Sequence, residues 1–317
     1  MPVELVEKML TGNQRALARL VSAVEGQRAG VPEIMQAITP RLGRAYCIGI
    51  TGPPGAGKST LTDRLTAHAR ERGETVGIIA VDPTSPFSGG AILGDRIRMQ
   101  QHYLDAGVYI RSMASRGHQG GLAQAARGVI KLLDAFGKNL IIVETVGVGQ
   151  SELDIAAAAD TTVLTLVPES GDSIQAIKAG IMEIADLFVI NKADRDGAER
   201  LRRDLQMMLH ARHPSDGWCP PVIATQAHRN IGIGELYETL AAHRRELTRS
   251  GGLTARRQQN RRQELVDLLH QQLMTNLKSG FDNGEAHSEM LEQVESGALD
   301  PYTAARRMLR ESAGMWG

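Results

Sequence analysis

The chain has 317 residues, with 36 Lys plus Arg balanced by 36 Asp plus Glu and an aromatic content of only 3%. A generic nucleic-acid binder needs a basic excess and a single-strand binder needs stacking platforms, so both classes are excluded. Two cysteines, Cys47 and Cys219, build neither a disulfide framework nor a zinc site, and a chain of this length buries about three quarters of its unfolded surface without such staples.

The amino-terminal segment, residues 1–44, reads as helical. Leu5, Met9, Leu17, Leu20, Val21 and Val24 recur at three- and four-residue steps, and Pro32 opens a second short helix. Glu4, Glu7, Lys8, Arg15 and Arg19 interrupt any apolar run, so this is not a signal peptide. No later stretch reaches the length of a membrane span. The expectation is a cytoplasmic protein with no membrane or nucleic-acid partner.

Residues 45–248 alternate strand and helix patterns. Strands are expected at 46–51, 75–81, 108–112, 139–144, 161–167, 187–191 and 221–225. Several, such as Leu140-Ile141-Ile142-Val143, are apolar on both faces, as in a parallel sheet covered by helices on each side. Helical patterns at 121–135 and 198–210 lie between them, which predicts an α/β, doubly wound, mostly parallel fold. Its ligand site is expected at the carboxyl ends of the strands.

The first strand runs into Gly52-Pro53-Pro54-Gly55-Ala56-Gly57-Lys58-Ser59-Thr60 and then a helix, a full match to the phosphate-binding loop G-x-x-x-x-G-K-[ST] in its proper context. Small residues let backbone N–H groups turn toward phosphate oxygens, and the helix terminus adds partial positive charge. Lys58 supplies a charge to the outer phosphates, and the Ser59 hydroxyl is a Mg²⁺ ligand candidate. The second strand leads into a Pro/Ser/Gly-rich loop in which Asp82 and Asp95 are candidates to reach Mg²⁺ or orient water. A turn or helix cap is the competing role, as strong for Asp95.

Glu144 ends the buried 139–144 strand, the position that holds the magnesium shell in such proteins. Gly147 is expected to meet a γ-phosphate through its N–H, making 148–152 a switch. No glutamine follows Gly147 directly; Gln150 stands three residues on, so intrinsic hydrolysis is expected to be slow. Asn191-Lys192-Ala193-Asp194 follows another strand and has the N-K-x-D form of guanine-specific sites. A carboxylate there accepts from guanine N1–H and the exocyclic amine, and a buried Asp194 is left unpaired by adenine. Thr225-Gln226-Ala227 sits where a backbone contact to the guanine oxygen is expected. GTP or GDP with Mg²⁺ is the ligand these motifs imply.

Residues 249–317 show no strand signal. Residues 253–277 read as one long helix with Leu265, Leu268, Leu269, Leu273 and Leu277 as a stripe, packed either on its own core or in a dimer. Arg256, Arg257, Arg261 and Arg262 read as a solvated helix face, with contact to an acidic partner or nucleic acid as the alternative. Shorter helices are expected at 287–294 and 301–309.

These motifs together resemble the methylmalonyl-CoA mutase-associated GTPases, a MeaB/ArgK-like P-loop family also called arginine/ornithine transport-system kinases. The resemblance rests on the exact phosphate loop, Val81-Asp82-Pro83-Thr84-Ser85-Pro86, Arg116-Gly117-His118-Gln119-Gly120-Gly121, Glu144 to Gln150 and Asn191 to Asp194, and covers nearly the whole chain. It implies a slow GTPase switch that gates cofactor loading and protects or reactivates an adenosylcobalamin-dependent acyl-CoA mutase. It also implies a homodimer supported by the carboxyl-terminal helices. A mobile partner-coupling loop would correspond to 168–178, with Asp172 and Lys178 as the charges that swing; read from its residues alone, the segment is a strand end and helix start capped by Asp172. A kinase acting on a transport-system protein, a nickel-insertion GTPase and a nucleotide-gated binding module are the competing readings. The second wants Cys or His clusters that the chain lacks.

Overall fold

The computed structural model describes residues 2–82, 99–114, 121–145, 147, 158–168, 183–212, 218–283 and 285–313. They form two compact units, Met1–Asn260 and Arg261–Gly317.

The first unit is built on seven parallel strands: β1 (Tyr46–Thr51), β2 (Val76–Asp82), β3 (Val108–Ala114), β4 (Leu140–Glu144), β5 (Thr161–Leu166), β6 (Leu187–Ile190) and β7 (Val222–Ala224). Their order is β3-β2-β4-β1-β5-β6-β7, so β1 lies at the centre between β4 and β5. Strand order reverses at β1, and the crevice outside its carboxyl end is where such sheets bind ligands. The α/β fold expected from the alternating pattern is the fold observed.

Alternate residues of each strand feed opposite faces. On one face Cys47, Ile79, Val81, Ile141 and Val143 pack beneath α1 (Pro2–Leu10), α2 (Gln14–Glu25), α3 (Val31–Ile38) and α5 (Gly121–Phe136), and α4 (Lys58–Glu71) lies on the other. There Ile48, Ile50, Ile78, Ile142, Val163 and Val189 meet Leu61 and Leu65 of α4 and Leu236 and Leu240 of α7 (Ile233–Arg249). Leu164, Leu166, Phe188 and Ile190 pack against Leu205 and Leu209 of α6 (Ala198–Arg212). The amino-terminal helices are thus part of the core, because Leu17, Leu20, Val21 and Val24 are all buried. Asn13 caps α2 by accepting from Ala16 N–H at 3.0 Å.

At the opposite edge of the sheet from the β1 crevice, Asp160 and Asp186 immediately precede β5 and β6. The start of α8 (Gly252–Asn283) clamps both. Arg256 forks onto Asp186 at 2.7 and 2.8 Å, and Arg257 onto Asp160 at 2.7 and 2.6 Å. Arg257 also donates to the Gly43 and Ala45 carbonyls. The solvated face expected for this basic run is therefore wrong for Arg256 and Arg257, which are half-buried ion-pair partners; Arg261 and Arg262 are exposed.

In the second unit, α8 continues and is followed by α9 (Glu285–Glu295) and α10 (Pro301–Ala313). Among the described residues, Leu265, Leu268, Leu269 and Leu273 are exposed, and nothing is described of the Leu277 side chain. Among the described residues no helix is long and apolar enough to cross a membrane.

Candidate nucleotide site

The loop 52–57 leaves β1 and closes on α4. Two of its glycines are required by close approach. A Cβ on Gly57, at φ +84°, would stand 2.4 Å from the Asn191 Nδ2, and one on Gly52 would stand 2.1 Å from the Thr165 carbonyl oxygen. Any side chain there would push the loop off β5 and off the segment after β6. Pro54 and Gly55 form the exposed tip, and Ala56 is buried, its N–H donating to the Pro53 carbonyl at 3.2 Å. Gly57 caps α4 in the left-handed region. The first turn of a helix has no intrahelical acceptors for its N–H groups, and in α4 that turn is Lys58, Ser59 and the half-buried Thr60.

Lys58 is buried, and its Nζ donates to the Gly52 and Pro53 carbonyls at 2.8 and 3.0 Å, so the cation sits inside the loop. The Ser59 hydroxyl meets Glu144 Oε1 at 2.5 Å, with both residues buried. The structure thus joins the serine at the start of α4 to the carboxylate that ends β4. Two hard oxygen donors side by side beneath the loop are a donor set that suits Mg²⁺. Beyond Glu144, the Thr145 hydroxyl donates to Thr51 Oγ1 at 3.0 Å, and the Thr51 hydroxyl donates to the Gly147 carbonyl at 3.0 Å. These two threonines, which motif reading did not single out, tie Gly147 to the end of β1.

Asn191 is the third junction. Buried after β6, it donates from Nδ2 to the Ala56 carbonyl at 2.9 Å. Its Oδ1 accepts from Thr225 Oγ1 and Ala227 N–H, each at 3.1 Å. One amide therefore holds the phosphate loop and the loop after β7 together. Lys192 takes a left-handed backbone at φ +56°, and Ala193 N–H donates to the Thr225 carbonyl at 3.0 Å. Asp194 stands exposed on this turn rather than buried.

The backbone contact expected from Thr225-Gln226-Ala227 meets a physical obstacle. Thr225 N–H donates to the Ile190 carbonyl, Gln226 N–H to the Ile231 carbonyl and Ala227 N–H to Asn191. All three donors are committed within the protein.

One further contact touches α4. His102 is buried, with Nε2 3.3 Å from Asp63 Oδ1, one turn beyond Ser59. The Asp63 carboxylate hydrogen bond raises the imidazole pKa above its ordinary value. Of the remaining sequence candidates, Asp82 ends β2 and nothing is described of its side chain, while Asp95, Gln150, Asp172 and Lys178 lie outside the described residues.

A family model described as methylmalonyl Co-A mutase-associated GTPase MeaB matches residues 17–282. A putative GTPase of Pyrococcus abyssi is 50% identical over 98% of this chain and 97% of its own. The mouse methylmalonic aciduria type A homolog, described as mitochondrial, is 35% identical over 96% of this chain and 79% of its own. The crystal structure of a protein described as an LAO/AO transport system kinase superposes with a TM-score of 0.73 at 30% identity, covering 98% of this chain and 97% of that one. The chain therefore belongs to the methylmalonyl-CoA mutase-associated GTPase family and is a P-loop GTPase, hydrolysing GTP to GDP and phosphate.

Proposed function

We propose that the protein is a GTP-driven switch that gates adenosylcobalamin loading into, and protects or reactivates, a methylmalonyl-CoA mutase-type enzyme. The observation that carries the nucleotide half is the Asn191 amide, which joins a complete phosphate loop to the Asn-Lys-x-Asp turn. The partner half is supported by the family match over residues 17–282 and by the mouse relative's name.

In this reading Gly52, Pro53, Pro54, Gly55, Ala56, Gly57 and Thr60 shape an amide cradle for the β- and γ-phosphates. Lys58 leaves the Gly52 and Pro53 carbonyls for phosphate oxygens, a local exchange of charge-assisted acceptors. Ser59 and Glu144, with Asp82 and Asp95 as further candidates, are the oxygens that would hold Mg²⁺. The ion, when bound, neutralises charge on the phosphates. Gly147, braced by Thr51 and Thr145, reports the γ-phosphate to the segment that follows. Asn191, Lys192 and Asp194 with Thr225, Gln226 and Ala227 form the guanine end; the exposed Asp194 carboxylate becomes desolvated when the base covers it. Gln150 is a candidate for orienting water, and Asp172 and Lys178 for coupling to the partner. Phosphoryl transfer depends on positioning and charge, and a water-orienting group displaced from Gly147 makes turnover slow until the partner completes the site. The exposed stripe Leu265, Leu269 and Leu273 is the homodimer surface in this reading. The setting is cytoplasmic.

The test is affinity purification of the tagged protein with GDP or a non-hydrolysable GTP analogue, followed by identification of a cobalamin enzyme. The reading expects a mutase whose recovery differs between the two nucleotides, together with phosphate release from GTP. Transfer of label from GTP to a transport protein instead would favour the kinase reading.

A further inference from the structure

At the end of the sheet away from the phosphate loop, a small cavity lies between the strands, α4 and α7. Its apolar wall is Ile48 of β1, Leu140 of β4, Leu65 of α4 and Leu240 of α7, all buried. Tyr46, Glu74, Asn139, Tyr237 and Arg244 supply the polar part of the lining. The cavity measures about 50 Å³. One water needs about 10–15 Å³, so the space takes an apolar group of about four heavy atoms.

The polar groups around it are unequally committed. The Tyr46 hydroxyl lies against Thr161 Oγ1 and 3.3 Å from the Leu240 carbonyl. The Tyr237 hydroxyl hydrogen-bonds to the Glu74 side chain. Asn139 Oδ1 accepts from Thr75 N–H and Thr75 Oγ1 at 2.8 and 2.9 Å. The groups left over are donors: the Asn139 Nδ2 amide and the partly buried Arg244 guanidinium, neither of which makes a hydrogen bond or ion pair among the described residues. Arg244 is held by stacking instead, its Cζ 5.0 Å from the centre of the Tyr46 ring. Arg72, the cation over Tyr237, differs in being paired with Glu238 at 2.7 Å.

An apolar cavity with uncommitted donors at its rim suits an anion that carries a short alkyl tail. A guanidinium presents a fork of N–H donors that matches a carboxylate, and stacking on an aromatic ring holds that fork in place before the ligand arrives. The Glu74 carboxylate repels a like charge, which leaves the Arg244 side of the rim for the head group. We infer that this cavity is a second ligand site, taking a short-chain carboxylate such as butyrate, with its alkyl tail among Ile48, Leu65, Leu140 and Leu240 and its carboxylate on Arg244. The site lies at the amino ends of the strands, whereas the phosphate loop and the turn that carries Asp194 follow their carboxyl ends, so it stands or falls independently of the guanine site.

Saturation-transfer NMR of the full chain with butyrate, and with butyramide as its uncharged isostere, tests this in wild type, Arg244→Gln and Ala241→Leu. Ala241 also lines the cavity, and a leucine there fills it from α7. Butyrate is expected to bind wild type with an affinity of about 1 mM, within the range so small a ligand can supply. Loss of a charge-assisted bond predicts that butyramide binds wild type about fivefold more weakly, and that Arg244→Gln weakens butyrate about fivefold to tenfold while butyramide stays within about twofold. Ala241→Leu, checked for folding by circular dichroism, should abolish the signal from both. No transfer to butyrate at about 20 mM, butyramide binding wild type as tightly as butyrate, or a signal that persists in folded Ala241→Leu overturns the inference.

Discussion

Replacing Asn191 by alanine probes the joint on which the nucleotide site is hung. The side chain is buried and makes three hydrogen bonds, to the Ala56 carbonyl at 2.9 Å and from Thr225 Oγ1 and Ala227 N–H at 3.1 Å. Each has a typical net worth of about 0.5–1.5 kcal/mol, and truncation leaves three polar groups to find new partners. The exposed Pro54-Gly55 tip lets water reach part of the loop, so the expected loss is about 2–3 kcal/mol. For a chain of this size that is a fall in Tm of about 3–5 °C. Thermal unfolding by circular dichroism measures it, and GDP titration should show at least a tenfold weaker complex, because the two loops are no longer held together before the ligand arrives. Asn191→Asp keeps the acceptor for Thr225 and Ala227 and should fall between wild type and alanine. A Tm within 1 °C of wild type with GDP affinity within twofold would refute the claim that this amide organises the site.

Three more outcomes follow from contacts outside the loop. Arg257→Met leaves the buried Asp160 carboxylate with the Cys47 N–H at 2.9 Å as its remaining bond, and breaking such a pair should cost about 2–4 kcal/mol in urea unfolding. A loss under 0.5 kcal/mol would show that the clamp at the foot of β5 is ornamental. His102 has a raised pKa in the fold, so its protonated form stabilises the native state below about pH 6.5 and this contribution disappears as pH rises through the folded value. The Tm gap between wild type and His102→Asn should therefore narrow from pH 6 to pH 8.5; a constant gap contradicts the Asp63 pairing. Lys138 is driven the other way: burial first, then the nearby Arg70 charge, lowers its pKa to about 8. The unfolded chain then binds more protons between about pH 8 and 10.5, and stability relative to Lys138→Met should rise across that window. A flat difference would refute it.

The sheet was legible because each strand is a short apolar run whose neighbours are helices at regular intervals, and the strand positions expected from the pattern match those observed to within a few residues. The differences have local causes. Thr75 and Asn139 were expected inside strands, but the Thr75 N–H donates to the Asn139 side chain, at Oδ1 and 2.8 Å, while the Thr75 carbonyl accepts from both Asn139 and Leu140 N–H, a closure that departs from the regular ladder. The phosphate loop was legible because its glycines answer to close approach, which leaves a mark in the sequence. The Arg256 and Arg257 clamp was not, since its partners Asp160 and Asp186 are distant in sequence and a charged helix turn looks the same whether it faces water or a carboxylate. The committed N–H groups of Thr225, Gln226 and Ala227 were equally hidden, because they depend on a bridge to Ile231 and on the Asn191 rotamer. Leu265 and its neighbours gave a true helix, but periodicity says only that a face is apolar, not what covers it.

The central claim, that one α/β scaffold grips a guanine nucleotide by its phosphates and by its base, is tested most directly by phosphate release from GTP and from ATP in the same preparation of wild type and Asp194→Asn. The account predicts release from GTP well above ATP in wild type, with the preference collapsing in the variant. Equal turnover of both nucleotides by wild type, or a preference that survives Asp194→Asn unchanged, would contradict it.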